Sequence, residues 1–177
     1  MAVKPARIAL AYCAGLIDGE GCISIGKRYG IKHNNRGNNQ FEKGKKARKD
    51  TWNPNYSLFV IVVQKDRIIT DWLHGNFGGS LGYTKGNGFS TQKKYHRWVL
   101  RSNQAFKLLK GIKPYLILKK EQALIGIELQ KQLNLRKTRE IPEEDLQKRE
   151  KLYQKLKAIK REFAAATTKP NPDLKTK

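Results

Sequence analysis

Carboxylates are scarce in this chain: 15 Asp and Glu stand against 37 Lys and Arg, a formal charge of +22. Such an excess repels itself unless a polyanion neutralises it, so nucleic acid is the expected partner. Solubility alone needs a net charge of only about 2–8. Cysteine is as sparse. Cys13 and Cys22 are too few for a disulfide framework and are not spaced as a zinc half-site. Both fall in apolar patterns and read as buried free thiols of a reducing compartment. His33, His74 and His96 share no ligand spacing with one another or with the cysteines, which argues against a zinc site. No Ser/His/Asp or Cys/His set stands out. A run of about 18 apolar residues is missing, and no signal-peptide pattern precedes Pro5. The expected localisation is therefore intracellular, in a prokaryotic cytoplasm or an organelle, with no membrane partner.

What is present suits one domain with an appendage: 177 residues, 38% of them hydrophobic. Lys4 to Ile17 reads as a first helix, with Pro5 suited to its first turn and Gly19 available to end it. "CISIGKR" (Cys22 to Arg28) alternates as a strand. From Gly26 to Asn55 nine Lys and Arg face only Glu42 and Asp50, which suggests a long basic hairpin tip. "YSLFVIVV" (Tyr56 to Val63) is a buried strand, and "KDRIITDWLHGNFG" a short helix closed by glycines. A second hairpin turns at "KGNG". In its returning strand, Trp98 and Leu100 face the core and Tyr95 and Arg97 point outward. Helices follow over Asn103 to Lys110, Leu116 to Gln132 and about Pro142 to Ala166, the last with Leu152, Leu156, Ile159 and Phe163 at helical spacing. The pattern is αββαββα plus extra C-terminal helices, an α+β fold whose sheet has an exposed face. Domain limits are expected at 1–138, with a helical extension over 139–166 and a disordered tail over 167–177.

The stretch "YCAGLIDGEGCISIG" (Tyr12 to Gly26) carries the chemistry. At about 100° per residue, Ala11, Ala14, Gly15 and Asp18 fall on one side of the first helix, and Leu10, Cys13 and Ile17 on the other. The greasy side should pack under the sheet. The other is nearly bare, and small residues four apart, Gly15 and Gly19, let two helix backbones come close. Asp18 and Glu20 then arrive at the helix C-terminus, where a carboxylate is electrostatically misplaced. Glu20 has no Lys or Arg within three residues on either side. A bound cation would explain an acid kept there.

"CAGLIDGEG" resembles the signature of the LAGLIDADG homing endonucleases, with Cys13 where Leu is usual and "GEG" where "ADG" or "GDG" is common. "SLFVIVVQK" (Ser57 to Lys65) resembles the family's second strand, and "KPYLILKKEQA" (Lys113 to Ala123) its Pro-aromatic-Leu segment before a lysine. The resemblance covers about Lys4 to Leu135. It implies an antiparallel sheet forming a DNA-binding saddle. It also implies a single-motif homodimer, packed through Ala11, Ala14, Gly15 and Asp18, in which Glu20 of each subunit converges on the two-fold axis.

The resemblance further implies a Mg²⁺-dependent endonuclease, with Mn²⁺ substituting. Glu20 would bind metal through its carboxylate and Gly19 through its carbonyl, while Asp18 is mainly structural. Gln64 would orient the attacking water and Lys119 would offset charge on the phosphate. Ile68 stands where relatives often carry another basic residue, a role Lys65 or Arg67 would have to fill. The product would be a staggered double-strand break with 3′ overhangs at a long pseudo-palindromic site. The strand pattern nominates Ser24, Arg28, Ser57, Lys85, Asn87, Tyr95 and Arg97 for DNA contact, and "KGKKARK", including Lys46, for phosphates. Two rival expectations use the same scaffold: an RNA maturase assisting splicing of a group I intron, and a non-catalytic DNA-binding protein.

Overall fold

The computed structural model describes residues 6–29, 53–85, 94–135 and 141–168. The elements run α1 (Arg7–Glu20), β1 (Gly21–Arg28), β2 (Asn55–Gln64), α2 (Arg67–Phe77), β3 (Ser80–Lys85), β4 (Lys94–Arg101), α3 (Ser102–Ile112), a 3₁₀ turn (Lys113–Tyr115), α4 (Lys120–Asn134) and α5 (Glu143–Thr168). The αββαββα order with added C-terminal helices is therefore present. The basic hairpin tip, the "KGNG" turn and most of the expected tail lie outside the described residues, although residues 167–168 still belong to α5.

The four strands form one antiparallel sheet in the order β1-β2-β4-β3. Alternation decides which way each strand faces. Ile23 and Ile25 of β1, with Leu58, Val60 and Val62 of β2, point to the helices and are buried. Trp98 and Leu100 join them from β4. Beneath lie Cys13 and Ile17 of α1, Leu108, Leu109 and Ile112 of α3, and Ala123 of α4. Each large apolar side chain so buried contributes about 1.5–3 kcal/mol. The Trp98 indole N–H is not orphaned by burial, since it donates to the Gly78 carbonyl at 2.7 Å. Gly126 lets α4 approach the sheet: a Cβ there would lie 2.8 Å from Leu58 Cδ1.

A second apolar cluster joins Ile25 and Tyr56 of the sheet to Ile125 and Leu129 of α4 and Leu156 of α5, with Leu152, Tyr153 and Ile159 packed against it. The helical spacing read in the sequence is what docks α5, so this helix packs on the body of the fold. Lys27 Nζ donates to Glu150 Oε2 at 2.7 Å, and Lys160 Nζ donates to Cys22 Sγ at 3.0 Å. From Lys27 back to Cys22 the strand covers about 17 Å. From Glu150 to Lys160 the helix covers about 15 Å. The near-equal lengths mean that α5 runs antiparallel along the β1 edge, fastened at both ends.

Candidate active site

Helix α1 does not stop at Gly19 as its composition suggested; it continues through Glu20 and is capped by Gly21. The Gly21 N–H donates to the carbonyls of Leu16 and Ile17. A Cβ at Gly21 would sit 2.6 Å from Ile17 Cα, so only glycine closes the helix this tightly.

The acid at Asp18 is satisfied by the start of another helix. Its two carboxylate oxygens accept from the backbone N–H groups of Ile117 (2.7 Å) and Lys119 (2.9 Å), just ahead of α4. In return the Lys119 ammonium donates to the Ile17 carbonyl (2.7 Å) and the Asp18 carbonyl (2.8 Å) at the end of α1. Each helix end supplies the charge the other end wants. Lys119 is buried, 8% exposed. Burial lowers its pKa, opposed by the charges of Asp18, Cys22 and Glu20, while Lys160 nearby lowers it further.

Glu20 is left exposed at this junction. Gln64, half-buried, ends β2 opposite His96, two residues beyond the last β1 pair, Gly21 with Val62. The end of α1, the start of α4 and the end of β2 thus bring Glu20, Lys119 and Gln64 to one end of the sheet. The carbonyls engaged at the helix end are those of Leu16, Ile17 and Asp18, and the Gly19 carbonyl is not one of them. Among the described residues no group of three or more His, Cys, Asp or Glu could hold a metal ion. The exposed oxygen donors at this helix end are the Glu20 carboxylate and the Gly19 carbonyl, hard oxygens of the kind Mg²⁺ prefers.

The outer face of the sheet leads away from this point. Cys22, Ser24, Gly26 and Arg28 alternate with the buried isoleucines of β1. Ser57, Phe59, Ile61 and Val63 occupy the outer positions of β2. Tyr95, Arg97, Val99 and Arg101 occupy those of β4. Ser24, Arg28, Ser57, Tyr95 and Arg97 thus share the one surface assigned to them. Lys85 pairs with Lys94 at the end of β3, where Gly82 pairs with Arg97 and Thr84 with Tyr95. Lys46 and Asn87 lie outside the described residues. Arg101 was missed, although it follows Arg97 by four on an alternating strand. It lies over the Phe59 ring at 5.7 Å and, with Arg28 and Ser57, lines a depression of about 190 Å³.

The bare side of α1 holds in part. Ala11 and Gly15 are exposed, and a Cβ at Gly15 or Gly19 would meet nothing within 4 Å. Ala14 is a correction: it is fully buried with Cys13 and Ile17, because α1 packs on α3 as well as β2 and so buries a wider arc than one side of the wheel. The Asp18 carboxylate is spent within the chain. The exposed stripe runs instead through Ile8 (84% exposed), Tyr12 (51%) and Gly15, flanked by Ile68 (74%) on α2. The Tyr12 ring stands edge-on to Trp72 at 4.9 Å. Of the two cysteines, Cys13 matches the buried inert thiol expected, its pKa pushed up to about 12 by burial, whereas Cys22 is only half-buried.

No family model and no curated protein matches the sequence. Solved structures do match the fold. Homing endonuclease I-CvuI, bound to a DNA target, superposes with TM-score 0.62 at 18% identity, over 86% of this chain and 82% of that one. The archaeal intron-encoded homing endonuclease I-Vdi141I, complexed with DNA, gives 0.61 at 16% identity, over 86% and 84%. The LAGLIDADG homing endonuclease I-GzeII, in complex with a DNA target, gives 0.57 at 15% identity, this chain spanning 53% of its length. The helices and open antiparallel sheet described above are the fold of the LAGLIDADG homing endonucleases.

Proposed function

We propose that this protein is an intron-encoded, site-specific DNA endonuclease that works as a homodimer and hydrolyses both strands of a long pseudo-palindromic duplex, leaving 3′ overhangs. The observation that carries this reading is the junction itself: an exposed acid, Glu20, beside a buried ammonium, Lys119, where a surface rich in arginine begins. A pure binder of DNA or RNA gains nothing from a carboxylate there, since it repels the backbone.

Glu20 and the Gly19 carbonyl would hold Mg²⁺, or Mn²⁺ in its place. Bound there, such a cation polarises a phosphoryl oxygen and lowers the pKa of a water. The remaining work belongs to the chain's own side chains. Lys119, fixed by two carbonyls, presents positive charge to the phosphate without having to reorganise. Gln64, at the end of its strand, would orient a water by its amide. Arg28, Arg97 and Arg101, spread along the outer face, suit base edges or phosphates in the major groove, with Ser24, Ser57 and Tyr95 between them. The exposed Ile8, Tyr12 and Gly15 stripe, continued by Ile68, supports pairing of two α1 helices, which would bring two Glu20 carboxylates together.

The test is incubation of the purified protein with an intron-free copy of its host gene, with Mg²⁺ and with chelator, alongside light scattering. The expected result is one discrete double-strand cut in Mg²⁺ with mapped 3′ overhangs, none in chelator, from a dimer. Intact DNA in both Mg²⁺ and Mn²⁺, or an active monomer, would contradict it. Intact DNA together with tight binding of the intron transcript would favour the maturase.

A further inference from the structure

We infer that Lys160 of α5 is the second cationic side chain of the cleavage centre, contacting the DNA backbone beside Lys119 and filling the place that Ile68 leaves without a charge. This rests on the nuclease reading above and extends it to a helix outside the stretch that resembles the family.

The basic residues nearest in sequence are not seen turned toward Glu20 or Lys119 among the described contacts. Ile68 is 74% exposed and belongs to the apolar surface with Ile8 and Tyr12, where a charge would spoil a helix pairing. Arg67 is engaged with Asp71, Nε to Oδ2 at 2.8 Å. Lys65 sits exposed in the turn before α2. Lys160, almost a hundred residues further on, is brought to the site by the fold. Its ammonium lies 3.0 Å from Cys22 Sγ, and Cys22 is on the outer face two residues past Glu20. Two residues of chain across the helix–strand junction span at most about 7 Å, within the reach of a lysine side chain. The charge of Lys160 also bears on Lys119, which places the two ammonium groups in one electrostatic neighbourhood.

The contact Lys160 makes is poor. A thiol is a weak acceptor, and an ammonium has three donors to satisfy. A phosphate oxygen would be a far better partner. Lys160 also has company: Lys157 and Arg161, both exposed, line with it a groove of about 390 Å³ running beside Ser24. The backbone of a duplex seated on the outer face would pass along this row. The α5 helix is thereby a brace at its Glu150 end and part of the working surface at its Lys160 end.

The test compares wild type with Lys160→Met, Lys160→Arg and, as a control, Lys155→Met, whose lysine faces Glu121 at 3.1 Å on the far side of α5. Single-turnover cleavage in Mg²⁺ is measured on the host-gene fragment that wild type cuts. The salt dependence of binding to that duplex is measured in Ca²⁺, and melting temperature is recorded for each variant. Lys160→Met should cut about 100-fold slower and lose about one unit of salt slope, with little change in melting. Lys160→Arg should recover most of the rate, and Lys155→Met should match wild type. A Lys160→Met variant that cuts at the wild-type rate overturns the inference while leaving the nuclease reading intact. So does a loss that tracks a fall in melting temperature and is not restored by arginine. A wild type that cuts no DNA removes the nuclease reading, and this inference falls with it.

Discussion

The two ends of the contact between β1 and α5 are built from similar residues and used differently. At the far end Lys27 meets Glu150 at 2.7 Å, the Tyr56 hydroxyl donates to the same carboxylate, and three tyrosine rings surround the ammonium. Charge is closed there. At the near end, among the described residues, Lys160 donates to a thiol and Lys119 to carbonyls, while Glu20 stands exposed beside them. Charge is left open. A chain with so few acids spends one on bracing a helix and leaves another exposed at a helix C-terminus, where it is least welcome. The difference teaches what each end is for: the far end is complete in itself, and on the nuclease reading proposed above the near end would be completed by metal and phosphate.

That contrast predicts opposite responses to substitution. Lys119→Met should slow cleavage by about 100-fold while changing duplex affinity much less, measured by single-turnover kinetics beside equilibrium binding. Unchanged cleavage would mean that the near end is a brace too. Glu150→Gln should do the reverse, leaving the cleavage rate alone and costing about 1 kcal/mol of stability. Its pH dependence sharpens the point. Burial pushes the Glu150 carboxyl up, yet hydrogen bonds from Lys27, Tyr56 and Gln154 outweigh it and hold the group down to about 2, below the ordinary 4.5. A carboxyl depressed in the folded state stabilises fully above its unfolded value and loses that contribution as pH falls through the folded one. Thermal melts of wild type should therefore lose an increment between about pH 4.5 and about pH 2, and melts of Glu150→Gln should lack it. The smallest effect is expected from a lysine outside the described residues. Lys46→Ala should weaken binding uniformly across sequences and reduce the salt slope by about one; a change confined to one base position would assign Lys46 to reading rather than holding.

Much of this architecture was legible because it is local. Alternation placed Ile23, Ile25, Trp98 and Leu100 inside and Ser24, Arg28, Tyr95 and Arg97 outside, and the sheet agrees. The spacing of Leu152, Leu156 and Ile159 gave a helix with one apolar side, and that side is the one docked. What failed needed partners distant in sequence. A wheel cannot say that α1 touches both α3 and β2, so Ala14 looked free when it is buried. The exchange between Asp18 and Lys119 joins residues a hundred positions apart, and only the family resemblance singled out Lys119. Lys160 had no signal at all, being one lysine among many on a charged helix. Its neighbour Cys22 is found only in the folded chain.

One acid per subunit at the α1 terminus is what the whole reading depends on, and Glu20→Gln addresses it directly, because the amide keeps the shape and removes the charge. With Mg²⁺ and the host-gene duplex, the variant should bind as wild type does and leave the DNA whole. A Glu20→Gln protein that still makes the discrete cut at the wild-type rate would contradict it.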